Sequence, residues 1–167
     1  MLKNVKESLN KLAKYVVQQS RSNLTKNKKN VSKSLYNSID YNLNVSPNSF
    51  SLSFIMDEYG MYQDKGVSGK KKKYNTPFRY TNKMPPIKPL ADWAKFKNIR
   101  LRNEKGQYSK GSYQTIGFLI ARSIFNKGIK PSLFFTKPFE ASFKNLPNEV
   151  VEAFNLDIKD LLQFTTR

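Results

Sequence analysis

The sequence predicts an α+β fold from three observations: an amphipathic N-terminal segment, a period-two segment broken by one turn, and a helical apolar stripe near the C-terminal end. Its 167 residues contain no long Gly/Ser-rich or Pro-rich linker, and domains commonly run to about 100–200 residues, so a single domain over 1–167 is expected. A hydrophobic content of 38%, with twelve Phe, nine Tyr and one Trp, is sufficient for a packed core.

The first element spans residues 2 to about 20. Leu2, Val5, Leu9, Leu12 and Val16 recur at spacings of three and four between Lys3, Lys6, Lys11 and Lys14, which makes a long amphipathic helix. The stripe is narrow and lacks aromatic anchors, so the helix is expected to pack on its own domain and not on a membrane surface. The polar segment RSNLTKNKKNVSKS that follows reads as a frayed helix end or loop.

Period two begins at Ile39. Ile39, Tyr41, Leu43 and Val45 alternate with Asp40, Asn42 and Asn44, then Ser46-Pro-Asn-Ser49 turns the chain into Phe50, Leu52 and Phe54. The result is a small antiparallel sheet built on a β-hairpin (about 37–56), apolar on one face. Asp57 to Lys65 then makes a helical turn with Tyr59 and Tyr62 packed on one side, and Gly66 is its left-handed stop.

Pro77, Pro85, Pro86 and Pro89 predict a long basic loop region at about 66–88, with Pro89 suited to the first turn of a helix carrying Leu90, Trp93, Ala94 and Phe96. A second basic connection covers about 99–111. Ser112 is a capping residue, and Ile116, Leu119, Ile120 and Ile124, flanked by Phe118 and Phe125, make the following helix the most apolar and the expected centre of the fold. Ser132 to Thr136 reads as a short extended piece, and Pro138 leads into an amphipathic C-terminal helix. There Leu146, Val150, Phe154, Ile158, Leu161 and Leu162 form the stripe, and Glu149, Glu152, Asp157 and Asp160 are assigned to the surface.

Composition excludes much chemistry. No Cys and no His means no disulfides, no thiolate nucleophile, no Cys-ligated metal and no imidazole acid-base group. No apolar run reaches the roughly 18–20 residues of a membrane span, and the N-terminus alternates charge with apolar residues, so no membrane association is expected. The net charge of +18 is uneven: residues 1–64 carry nine basic and five acidic groups, 65–139 eighteen and two, and 140–167 three and five.

The run Gly69-Lys70-Lys71-Lys72-Lys73 invites comparison with a phosphate-binding loop. Aligned on Gly69-Lys70, the first glycine position holds Asp64 and the hydroxyl position holds Lys71, so the pattern fails at two of its four places. Asp57, Glu58 and Asp64, or Asp157-Ile-Lys159, resemble fragments of a metal-dependent nuclease site but read as solvated surface charges. No catalytic residue, metal ligand or cofactor is therefore expected. Nucleic-acid binding without sequence specificity fits better: Lys70 to Lys73, Arg79, Lys83, Lys95, Lys97, Arg100 and Arg102 would neutralise phosphates, and Tyr74, Phe78, Tyr80 and Tyr108 would stack on bases.

Three segments carry a family resemblance. Lys33-Ser-Leu35-Tyr-Asn-Ser38-Ile39, Glu58-Tyr59-Gly-Met-Tyr62-Gln-Asp64-Lys-Gly66 and Pro131-Ser-Leu133-Phe-Phe135-Thr-Lys-Pro138-Phe139 resemble, in this order, the pattern of bacteriophage neck proteins, the head-tail connector or tail-completion components of tailed phages. That pattern has a Leu-x-x-Ser-Ile strand start, a Tyr-x-x-Tyr-x-Glu-x-Gly-Thr turn and a Pro-Phe-Leu-x-Pro segment. Here Asp64 stands for the Glu, Val67-Ser68 for the Thr, and Phe134-Phe135 thickens the last element.

The resemblance implies a structural virion protein without enzymatic activity. Such a protein forms a homo-oligomeric ring between head and tail, assembled in the host cytoplasm and contacting portal, adaptor or tail proteins. Tyr59, Tyr62, Asp64 and Gly66 would form a structural turn. Lys70, Lys71, Lys72, Lys73, Arg79, Lys83, Arg100 and Arg102 would face neighbouring subunits or, non-specifically, packaged DNA.

Overall fold

The computed structural model describes residues 2–27, 32–46 and 49–165, with side chains as far as 159. The fold is α+β, with seven helices and one two-stranded antiparallel sheet among the described residues. Where length alone suggests one domain, the chain divides into two compact units, Met1–Asp64 with Ser132–Arg167, and Lys65–Pro131.

The first unit is organised around α1 (Lys3–Lys26), which buries Val5, Leu9, Leu12, Ala13, Val16, Val17, Ser20 and Leu24 along one face. The helix outruns its expected end near residue 20 because Leu24 extends the stripe and the polar residues beside it serve as anchors. Arg21 donates to the Tyr36 and Ile39 carbonyls at 3.0 and 2.9 Å, and Asn23 donates to the Phe134 carbonyl at 3.1 Å. Residues 28–31 of the expected loop lie outside the described residues.

The segment expected to open the first strand is instead the short helix α2 (Ser34–Ser38), entered through Lys33 at φ +57°. Its purpose is packing: Leu35 and Ile39, one helical turn apart, both enter the core. Strands β1 (Asp40–Ser46) and β2 (Ser49–Ile55) pair antiparallel with Tyr41 opposite Phe54 and Leu43 opposite Leu52. The alternation leaves Tyr41, Leu43, Val45, Leu52 and Phe54 half-buried on one side, as the period-two pattern requires, whereas Phe50, expected with them, is 46% exposed. Ser46 and Ser49 belong to the strands, and residues 47 and 48 of the turn lie outside the described residues.

Helix α3 (Tyr59–Lys65) ends before Gly66, whose φ of +75° is the expected left-handed stop. Tyr59 and Tyr62 are 46% and 39% exposed, and the residues that this helix buries are Gly60 and Asp64. Gly60 is needed there because a Cβ would meet Leu35 Cδ1 and Met56 Sδ at 2.8 Å.

Ser132 to Thr136 is not extended. Leu133 has φ +50°, Phe135 is helical, and Thr136 already starts α6 (Thr136–Phe143), with Pro138 in its first turn. Helix α7 (Leu146–Thr165) follows at once. Its inward face also departs from expectation: Ala153 and Asp157 are buried, while Phe154 and Ile158 are 47% and 40% exposed. Residues 160–165 are helical, and the predicted roles of Leu161 and Leu162 lie outside the described side chains.

Two apolar clusters lie along α1. Near its end, Val17, Leu24, Leu35, Ile39 and Phe134 pack with Tyr36, Tyr41, Phe54, Met56 and Phe135; near its start, Val5, Leu9 and Ala153 pack with Leu2, Leu43, Leu146 and Val150. An aromatic ladder joins the sheet to α6, with Phe54 edge-on to Phe135 and Phe139 at 5.3 and 5.9 Å and Phe139 stacked on Phe143 at 5.6 Å.

In the second unit, α4 (Ile87–Phe96) packs on α5 (Tyr113–Lys127), whose N-terminus is capped by Ser112 Oγ accepting the Thr115 amide at 3.1 Å. The contact is made by small residues. A Cβ on Gly117 would fall 2.8 Å from the Ile87 carbonyl and 2.9 Å from Ala91, and Ala91, Ala94 and Ala121 are buried beside it. Close approach through small side chains leaves the large ones outside: Trp93, Phe96, Phe118 and Leu119 are 39%, 71%, 41% and 44% exposed. The expectation that α5 is the centre of the fold is thus corrected. Its apolar residues are spread around the helix, whereas α1 concentrates them on one face.

Candidate functional site

Residues from all three segments that carry the resemblance meet within the first unit. Leu35 and Ile39 from the first and Phe134 from the third share one apolar cluster, and Gly60 from the second lies against Leu35. Asp64 closes the arrangement. Its carboxylate accepts the backbone amides of Phe135 and Thr136 at 2.8 and 3.2 Å and the Thr136 hydroxyl, and its carbonyl accepts the amides of Ser132 and Leu133 at 3.0 Å. A carboxylate on the first amides of α6 satisfies donors that the helix itself leaves open. The Ser132 hydroxyl adds a bond to the Gln63 carbonyl at 2.6 Å.

Two of the other carboxylates weighed as metal ligands, Asp57 and Asp157, are also structural. Asp57 Oδ2 accepts the Ser34 hydroxyl at 2.7 Å, and Asp157 accepts the amides of Asn4 and Val5 at the start of α1. Among the described residues no three His, Cys, Asp or Glu side chains gather as a metal site. Among them, too, no helix is long and apolar enough to cross a membrane.

The basic residues belong to the second unit. Lys65–Pro131 contains seventeen lysines and arginines against Asp92 and Glu104, a net +15 of the chain's +18. Its organising segment is Gly66-Val67-Ser68-Gly69, buried throughout. Val67 exchanges backbone hydrogen bonds with Ile129, while Ser68 donates to the Phe78 carbonyl at 2.8 Å and accepts the Tyr80 amide at 2.9 Å. The Ser68 hydroxyl also accepts the Tyr74 amide at 3.0 Å and contacts its carbonyl at 3.2 Å, so this one residue holds the loop at both 74 and 78–80.

The lysine run is a turn tied to the end of α5. The amides of Lys70 and Lys71 donate to the Phe125 and Asn126 carbonyls at 2.9 Å, Lys72 also donates to Asn126, and Gly69 donates to Lys72. These bonds answer the phosphate-loop comparison physically. A phosphate loop needs free amides, and here they satisfy helix C-terminal carbonyls. The side chains remain outside the turn, with Lys70 Nζ 5.9 Å from the Phe125 ring centre and Lys72 Nζ 5.4 Å from that of Tyr74.

Between this turn and the 73–82 loop lies an open groove of about 520 Å³ lined by Lys70, Lys73, Tyr74, Arg79 and Tyr80, with Ser68 at its base. Among the described residues no carboxylate lines it. Burial raises the Tyr80 pKa above its ordinary value. Of the eight basic residues assigned to an interface, the groove brings together Lys70, Lys73 and Arg79.

Arg100 and Arg102 stand on a separate hairpin in which Arg102 bridges Tyr108 and Gly106 turns the chain at φ +76°. Their guanidinium carbons lie 5.5 and 4.9 Å from the Tyr108 ring centre, so two cations lie against this ring where one, Lys72, lies against that of Tyr74. Lys71 and Lys83 are exposed and do not line the groove. Sequence reasoning missed Ser68 and the close approach of Gly69 to Gly128. The Gly-Val-Ser-Gly spacing was visible, but its bonding partners lie in distant segments.

No family model, curated protein or solved structure matches this chain.

Proposed function

We propose that the chain is a non-enzymatic structural component of a tailed bacteriophage particle, part of the ring-shaped neck between head and tail. The observation that carries this reading is the convergence of the three resembling segments on one another through Leu35, Ile39, Gly60, Asp64 and Phe134. Motifs matched by chance along a chain have no reason to pack together. Motifs that define a fold do. In a ring, the exposed flank of the hairpin and the basic second unit would face neighbouring subunits, portal, adaptor or tail proteins, and symmetry would multiply weak contacts.

The test is recovery of the chain from purified particles at a fixed multiple of the portal, with a reconstruction locating it around the DNA channel. Absence from particles refutes the neck reading. The second reading, a free nucleic-acid-binding phage protein, is favoured by the concentration of +15 in Lys65–Pro131 and would show salt-dependent DNA binding by a chain missing from virions.

A further inference from the structure

We infer that the groove of the second unit is a binding site for single-stranded nucleic acid, holding phosphates with Lys70, Lys73 and Arg79 and an unpaired base against Tyr74 and Tyr80. The inference deepens the nucleic-acid reading and rests on the basic unit alone. It stands or falls separately from the neck assignment, which particle composition decides.

Charge is the first argument. The groove brings three cationic side chains together without a carboxylate among the described residues, inside a unit with two acidic residues against seventeen basic ones. A second groove, in the first unit, is lined by Lys11, Tyr15, Ser142 and Glu149, where one lysine is balanced by one glutamate. Of these two, the basic groove has the net field for an anion.

Shape and preorganisation are the second. A volume of about 520 Å³ falls within the roughly 300–1,000 Å³ of small-ligand sites and has room for a nucleotide. The walls are held in place beforehand: Ser68 bonds the backbone at Tyr74, Phe78 and Tyr80, and the α5 carbonyls hold Lys70 and Lys71. Ordering cost on binding is therefore limited to the tips of the basic side chains. Two tyrosines and three cations lining one groove is the combination that single-strand binders use, charge tracking the backbone and aromatics taking bases. An acidic peptide would satisfy the cations but leave the tyrosines without a flat partner.

The test is fluorescence anisotropy of a labelled twelve-residue oligothymidylate with the full chain, over about 50–300 mM NaCl. Replacing Lys70, Lys73 and Arg79 together by Ser is expected to weaken binding at least tenfold at 100 mM salt. It should also reduce the slope of log K against log salt by about two, since each single-strand phosphate contact contributes about 0.7. Tyr74→Leu is expected to weaken binding about fivefold or more with the slope unchanged. Replacing Lys88, Lys105 and Lys110 by Ser removes the same charge outside the groove and is expected to change affinity less than threefold. Equal losses in the two triple variants would overturn the site, as would duplex of the same length binding as tightly, polyglutamate competing as well as unlabelled oligothymidylate, or no binding at 50 mM salt. The triple variants alter exposed side chains only, so the comparison holds even where Tyr74→Leu unfolds.

Discussion

The carboxylate of Asp157 sits on the first turn of α1: its Oδ1 accepts the Asn4 backbone amide at 3.0 Å and its Oδ2 accepts that of Val5 at 3.1 Å. The Asn4 side-chain amide donates to the same Oδ1 at 3.0 Å. Helix α1 has no acidic residue in its first turn and no side-chain cap of its own, so a residue 153 positions away performs the capping. The bond fastens the last helix to the first and opposes the partial positive charge of the α1 N-terminus.

Asp157→Ala is expected to lower stability by about 1–3 kcal/mol, because it leaves two helix amides without acceptors as well as deleting a charge-assisted bond. Urea denaturation of the full chain measures it. Asp157→Asn keeps one carbonyl oxygen and should lose less. Equal stability of Asp157→Ala and the parent would show that water serves these amides as well as the carboxylate does.

Acid should reveal the same contact. Burial of Asp157 resists ionisation, and the backbone amides of Asn4, Val5 and Lys3 with the Asn4 side chain outweigh it, holding its pKa below the ordinary aspartate value. With a folded-state pKa below the unfolded one, the stabilisation is complete above the unfolded value of about 3.9 and is lost as pH falls through the folded value. The stability difference between the parent and Asp157→Asn should therefore shrink progressively below about pH 4, read by denaturation at a series of pH values. A difference constant from pH 7 to pH 2 would contradict this.

Asp64→Ala removes the acceptor for Phe135, Thr136 and the Thr136 hydroxyl at the start of α6. A loss of about 2 kcal/mol or more is expected, since the carboxylate is buried and its partners would be left unpaired. Loss of near-ultraviolet dichroism would report loosening of the adjacent Phe134–Phe135 packing. Asp64→Asn should fall between.

Gly128→Ala tests the second unit. Gly128 has φ +74° and its added Cβ would collide with the Val67 carbonyl, whereas Gly106 at φ +76° has open space around it. Gly106→Ala should cost about 1–2 kcal/mol for the left-handed backbone alone. Thermal melts should show a larger loss for Gly128→Ala, and equal losses would mean that the Val67–Ile129 pairing yields easily.

Ser20→Ala should stabilise the chain. The Ser20 side chain is fully buried in the α1 face and its Oγ has no hydrogen-bond partner among the described residues. Removing an unsatisfied hydroxyl and installing the best helix former should add about 1 kcal/mol, visible as a raised melting temperature.

Local patterns were legible wherever one residue type repeats on one face. The α1 stripe, the alternation of Tyr41, Leu43 and Val45, the Ser112 cap and the Gly66 stop all follow from backbone periodicity or backbone conformation, which neighbouring residues determine. The clustering of charge in the middle of the chain was likewise a property of the sequence alone, and the compact unit Lys65–Pro131 nearly coincides with it.

Long-range bonding was not legible. Asp157 and Asp64 look like surface carboxylates because nothing beside them in sequence needs an acceptor; only folding brings helix amides within 3.2 Å of each. The same holds for α7, where an apolar stripe through Phe154 and Ile158 matches helical spacing as well as the buried Ala153 and Asp157 do. Close approach to α1 favours the small residue and the hydrogen-bonded one. The lysine run shows the division most clearly. Sequence by itself determined its charge and excluded the phosphate-loop spacing, while tertiary structure decided that its amides bind the α5 carbonyls and that Lys70, Lys73 and Arg79 share one groove. Composition belongs to the chain, but a site belongs to the partners that folding places opposite each other.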